Sequence, residues 1–306
     1  MSLAPSVAVP RVQFNWLPLN IGLFCLLWSF AFVAGKIGVT DCPPLILLTA
    51  RFLLAGIIIA GIAALRRERF DLSLRDVAVF ALLGVANNAL YLGLGYTGLK
   101  TVSAGIGGLV VSANPVFTAA LAALFLDELM TWRKAFGLLL GVAGVTFIVW
   151  HRLSVGSDHL DGLLFTLASL GSIVAGTILY RLLAPKGSLW IGNGIQNLAG
   201  GLALVPFAPT LADFHDIVPS ARLLGAFAFL VLGGSILAYL LWFHLLKVCG
   251  ATAASAYHFL MPPLGMLFAY LVLGEHVELR DLLGIVPVAL GIYLVTRPAA
   301  PTSQRN

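Results

Sequence analysis

Charge is what this chain has least of. Only 10% of its 306 residues are Asp, Glu, Lys or Arg, against about 25% in an ordinary soluble domain. A water-facing surface cannot be made from that composition. Cysteine is scarce as well. Cys25, Cys42 and Cys249 fall in a helix, an outer connection and an inner connection, so no pairing is expected and no metal spacing is present. No nucleotide-binding loop of the Walker type exists, which leaves transport driven by gradients rather than by ATP. No nucleophile, metal set or acid–base pair is clustered, so no enzyme, no metal and no cofactor are expected. Carboxylates are missing where they would matter most. All thirteen Asp and Glu lie in predicted loops or at helix ends. A carrier of lipophilic cations wants a buried counter-charge, because an unpaired charge in hydrocarbon is costly. That class is disfavoured.

Apolar residues are what is abundant. They make up 60% of the chain, and the mean hydropathy is +0.99. Cutting at charge and Pro/Gly clusters leaves ten apolar runs: 17–39, 44–65, 75–98, 102–126, 131–150, 161–183, 188–208, 222–246, 251–273 and 280–297. Each is near the roughly 20 residues that cross a hydrocarbon core of about 30 Å. The runs do not alternate with period two, so barrel strands are excluded. The first run is too long for a signal-peptide core and reads as a retained helix. The expected fold is therefore an all-α membrane protein of ten transmembrane helices.

Basic residues set the orientation. With a cytoplasmic N-terminus the inner side holds twelve: Arg11, Arg66, Arg67, Arg69, Arg75, Arg133, Lys134, Arg181, Lys186, Lys247, Arg297 and Arg305. The outer side holds four: Lys100, Arg152, Arg222 and Arg280. Both termini are placed in the cytoplasm. The net charge of +5 then meets anionic lipid; no nucleic acid is implied.

The second half repeats the first at an offset of 147 residues. Lys100 matches Lys247, Pro115 matches Pro262, Glu128 matches Glu275, and Arg133 matches Arg280. Gly137 and Gly144 match Gly284 and Gly291. Five helices per repeat is an odd number, so the two repeats, 1–150 and 151–306, enter the membrane from opposite sides. Inverted repeats of this kind hold substrate near the midplane and alternate access by rocking.

The residues also resemble a known family. Trp28-Ser-Phe-Ala-Phe-Val-Ala-Gly-Lys36 is similar to the first-helix motif of the EamA branch of the drug/metabolite transporter (DMT) superfamily. Arg51-Phe-Leu-Leu-Ala55 after Pro43-Pro44, and Asn114-Pro-Val-Phe117 with Asp127-Glu128, Gly137 and Gly144, resemble its later motifs. Among members the chain looks most like YddG-type exporters of aromatic and other neutral amino acids. The resemblance implies amino-acid export across a bacterial inner membrane. The alternative is export of another small polar metabolite or a drug on the same scaffold. The implied partners are a small-molecule substrate and the bilayer, and a monomer is expected.

Candidate site residues are the polar groups inside the runs. Asn87, Asn88 and Tyr91 share roughly one face of helix 3, and Ser112 and Asn114 lie near the middle of helix 4. Such amides and hydroxyls can hold a zwitterion, or they can be interhelical hydrogen bonds. Ser235, Tyr239 and Trp242 follow one face of helix 8, and Tyr257 and His258 lie in helix 9. Trp242, with Trp190, is close enough to a predicted interface to be read as a belt residue. His258 is the candidate for any proton coupling. Lys36 and Arg51 lie a turn or two from the outer helix ends, where they either snorkel or form a cationic vestibule for a carboxylate. Pro115 and Pro262 are read as paired hinges, each freeing a carbonyl four residues back. Glu128 and Glu275 are read as caps of the next helix. The glycines at 137, 141 and 144 have the spacing of close helix packing, with dimerisation a lesser option.

Overall fold

In hydrocarbon a chain must satisfy its own backbone, and long apolar runs do so as helices. The computed structural model describes residues 16–68, 71–126, 130–154, 159–276 and 279–296, and every regular element among them is helical. Ten rods follow one another. They are α1 (Leu17–Asp41), α2 (Pro44–Leu65), α3 (Leu74–Gly98), α4 (Ala104–Phe125), α5 (Trp132–Ser154), α6 (Leu160–Leu183), α7 (Leu189–Leu204) and α8 (Ala221–Cys249). The ninth, α9, is built from Ala251–Ala256, Tyr257–Leu260, Met261–Phe268 and Ala269–Leu273, and α10 is Leu279–Thr296. Six of the rods are long and apolar enough to cross a membrane: α1, α2, α3, α4, α6 and α8. By contrast α7 has 16 residues, or about 24 Å of rise.

Serines start several rods. Ser73, Ser103 and Ser220 each accept a backbone N–H three residues on, at the heads of α3, α4 and α8. This satisfies donors that a helix start leaves open. At the far end of α9 the chain turns through Gly274, whose φ of 67° suits a residue without a Cβ.

Four rods are irregular, and the irregularities recur at the sequence offset. A π-helical stretch occupies Val85–Leu92 in α3 and Leu230–Ala238 in α8; moving the first by 147 gives 232–239. The rod α4 breaks at Ser112-Ala113, between Ala104–Val111 and Asn114–Phe125. The rod α9 tightens to a 3₁₀ turn at Tyr257–Leu260, which contains 259–260, the matching pair. Pro115 and Pro262 both fall in the first turn after their break. A proline there has no N–H to lose. The break thus precedes each proline, and the proline opens a new helical segment.

The rods α5 and α10 pack along each other through glycines. A Cβ added to Gly291 would lie 2.5 Å from the Gly137 carbonyl oxygen and 3.0 Å from the Gly141 nitrogen. One added to Gly144 would meet Val288, Pro287 and the Gly284 carbonyl. The small-residue stripe is therefore used within the chain. Backbone cannot retreat as a side chain can. Gly291→Leu is expected to cost at least about 2 kcal/mol through overpacking. The check is size-exclusion in detergent, where the monodisperse peak should shrink severalfold, while Gly225→Leu, with open space around it, should leave it unchanged.

Candidate functional site

The most unusual side chain in the interior is Arg51. It projects from α2 and is only 2% exposed. Its Nε donates to Ser235 Oγ at 2.8 Å, and its Nη1 donates to Tyr96 Oη at 2.8 Å. Both partners are neutral hydroxyls, and a guanidinium has more donors than these two accept. Among the described residues no carboxylate pairs with it. Ser235 lies midway along the 29 residues of α8, and Tyr96 lies two residues before the end of α3 at Gly98. The helix α8 makes room for it at Gly234, where an added Cβ would be 2.8 Å from Arg51 Nη2.

A cavity of ≈ 30 Å³ opens beside the guanidinium. Its walls are chiefly Trp28 and Phe32 of α1, Tyr91 and Tyr96 of α3, and Tyr239 of α8. A second, of ≈ 20 Å³, shares Phe32, Tyr91 and Tyr96 and reaches Thr166 and Ser169 of α6. A water needs roughly 10–15 Å³ on this scale, so the two hold a few waters at most. An aromatic amino acid does not fit this conformation without the helices parting. Two larger crevices, ≈ 560 Å³ where α2 and α8 begin and ≈ 500 Å³ along α3 from Val85 to Lys100, are lined mainly by aliphatic residues, with no buried charge.

The aromatic wall extends inward from Trp28. Its ring stacks with Tyr239 at 5.4 Å, and Phe24 stacks with Trp242 at 5.7 Å. His258 meets Phe24, Trp28 and Trp242 edge-on at 5.5, 5.4 and 4.9 Å. Trp242 is 2% exposed, which corrects its reading as a belt residue. Its side chain is wedged between α1 and α9 rather than set at an interface. Trp190, half-buried, lies under the Arg66 guanidinium at 5.2 Å. His258 Nδ1 is 3.1 Å from the Ser255 carbonyl oxygen, and its Nε2 has no hydrogen-bond partner among the described residues. Tyr257 Oη reaches Cys249 Sγ at 3.9 Å, and its carbonyl accepts from the Cys25 thiol at 3.4 Å.

The sequence candidates thus divide. Arg51, Tyr91 and Tyr239 come together at the cavity. Asn87 and Asn88 turn to α7. Asn87 Nδ2 lies 3.5 Å from Gln196 Oε1, and Asn88 Nδ2 donates to the Gln196 carbonyl at 3.3 Å. Tyr239 Oη donates to the Asn87 carbonyl at 3.1 Å, and Asn193 Nδ2 donates to the Ser235 carbonyl at 3.0 Å. Side chains from across the bundle thus supply partners to carbonyls in both π-helical stretches. Such stretches often mark functional sites. Ser112 Oγ donates to the Leu109 carbonyl, and Asn114 Oδ1 accepts from Thr118, so both are engaged locally at the break in α4. Asn114 Nδ2 is buried without a partner among the described residues. Trp28 and Tyr96 were not among the candidates. Arg51 was their available signal: a charge inside a span requires polar or aromatic neighbours.

Polar contacts join the helices at one end of the bundle. Lys36 Nζ donates to the Leu99 and Val102 carbonyls at 2.6 and 2.8 Å, where α3 ends. Glu275 accepts from the Ala104 and Gly105 N–H groups at 2.9 and 3.2 Å, where α4 begins. A carboxylate is favourable at a helix start. Among the described residues Glu275 therefore caps α4, in the other half of the chain, where the expectation was a cap of the helix that follows it. Glu128 lies outside the described residues. At the same end Asp41 pairs with Arg222 and accepts from Ser220 at 2.7 Å.

The fold and its interior site are those of a multi-pass membrane transporter. The chain belongs to the EamA-like transporter family, whose profile matches residues 17–150 and again 160–297. It is 27% identical to an uncharacterized transporter of Archaeoglobus fulgidus, over 90% of this chain and 97% of that one. It is 26% identical to the uncharacterized inner membrane transporter YedA of Escherichia coli K12, over 92% and 91%. The Bacillus subtilis transporter YoaV, also uncharacterized, is 24% identical over 89% and 93%. A crystal structure at 18% identity superposes with a TM-score of 0.66 over 92% of this chain and 96% of that one, and speaks for the fold alone.

Proposed function

We propose that the protein exports neutral, above all aromatic, amino acids across the bacterial inner membrane. The observation that carries this is the buried Arg51, paired only with hydroxyls among the described residues, at the edge of an aromatic-lined cavity. The guanidinium receives the substrate carboxylate, and Trp28, Tyr91 and Tyr239 receive the side chain. A cationic drug is unsuited to such a site. Ten transmembrane helices with both termini cytoplasmic form two inverted five-helix repeats, 1–150 and 151–306, and the cavity lies between them. The two separate family matches and the recurring π-helical and broken segments support the repeat. Access alternates as the repeats rock, with α4 and α9 bending at the breaks before Pro115 and Pro262.

Trp28→Ala tests the aromatic part. Losing a ring that stacks at 5.4 Å should reduce the preference for Phe over Thr by about 10-fold, since such contacts are worth roughly 0.5–1.5 kcal/mol beyond the lost area. Half-saturation for the two amino acids in reconstituted vesicles reads it. An unchanged ratio would remove Trp28 from the substrate site.

A further inference from the structure

The cavity is electrically lopsided. Arg51 gives it a positive charge at a position that is 2% exposed. No described residue gives it a negative one. Asp41 is bound by Arg222 and Ser220. Asp76 is bound by Ser73 and the Lys186 N–H. Glu275 is bound by the head of α4. Among the described residues no carboxylate lines the cavity. An ammonium placed beside this guanidinium would be desolvated against a like charge. A carboxylate placed there would complete the open ionic valence of the buried guanidinium.

We infer that the site reads the carboxylate and the ring and leaves the amino group unread, so that aromatic monocarboxylates lacking an amino group are also ligands and substrates. This rests on the carrier reading above and narrows it to a chemical class. An aryl 2-hydroxy acid is the sharpest probe. Phenyllactate has the size and shape of phenylalanine, with a neutral hydroxyl in place of the ammonium.

The experiment uses the full chain in proteoliposomes, with protein-free vesicles subtracted. Labelled phenylalanine counterflow is challenged with phenyllactate, phenethylamine and phenylalaninamide, and labelled phenyllactate counterflow is measured directly. Phenyllactate should compete at about one tenth of the concentration of unlabelled phenylalanine or less, and should itself show saturable counterflow. Both carboxylate-free amines should be inert at about 100-fold excess on the same electrostatic ground. Arg51→Gln should abolish the phenyllactate flux. The competition series is run on unaltered protein and stands whether or not that variant folds. If the amines compete as well as phenyllactate does, or phenyllactate fails to compete, the inference is overturned while phenylalanine transport stands. If phenyllactate is carried and phenylalanine is not, the inference holds and the amino-acid reading falls. If neither is carried, both fall.

Discussion

Arg51→Gln lowers phenylalanine counterflow by about 10- to 100-fold, because a charge-assisted hydrogen bond to a buried ion is worth roughly 1.5–3 kcal/mol and the substrate carboxylate is left without its counter-ion. The loss should sit mainly in half-saturation, since the guanidinium meets the substrate in its bound ground state. Arg51→Lys keeps the charge but not the planar fork that reaches Ser235 and Tyr96 at 2.8 Å, and an intermediate loss is expected. Folding is a separate matter. The wild-type chain bears the desolvation of Arg51 and gains for it two hydrogen bonds to neutral hydroxyls, with no counter-ion among the described residues. The Arg51→Gln variant should therefore be at least as thermostable as wild type. A variant that binds phenylalanine normally would show that Arg51 holds α2 against α8 and does nothing more.

Glu275→Ala is expected to have the next largest effect, and of a different kind. The Ala104 and Gly105 N–H groups lose their shared acceptor. Loss of such a cap costs about 1–2 kcal/mol, which shifts a closed-to-open equilibrium by about 10-fold. Amide hydrogen exchange over Ala104–Ile106 should quicken by that factor, while phenylalanine half-saturation stays near its starting value, because Glu275 does not border the cavity. Glu275→Gln retains an acceptor without the charge and should fall between. Unchanged exchange would mean that Lys36 on the Leu99 and Val102 carbonyls holds this end alone.

The helices were legible because lipid leaves so few options. Apolar runs and scarce charge announce the rods, and the offset of 147 anticipates that an irregularity in one half has a mate in the other. Arg51 was legible for the same reason, as a cation inside an apolar run. Its depth was not, because its position in α2 does not say whether the long side chain turns outward to an interface or inward to Ser235. Helical face arithmetic grouped Asn87 and Asn88 with Tyr91. That arithmetic assumes 3.6 residues per turn, and these three residues lie in the π-helical stretch Val85–Leu92, whose wider turn accompanies amides facing α7 and a phenol facing the cavity. Trp242 looked like a belt residue from its place near the end of a run. Its contact with His258 at 4.9 Å depends on where α9 packs, which no local pattern encodes. Tyr96 was hidden likewise: it nests against Gly35 of α1, where an added Cβ would be 2.9 Å from its ring.

Counterflow in proteoliposomes tests the central claim most directly. Vesicles are loaded with one unlabelled amino acid at a time, and entry of the same labelled compound is followed for Phe, Trp, Thr, Lys and Glu. Saturable counterflow of Phe and Trp, weaker for Thr, with Lys and Glu inert, is the predicted result. Folded protein that exchanges none of the five, or that exchanges Lys as readily as Phe, would contradict a carrier of neutral aromatic amino acids centred on Arg51.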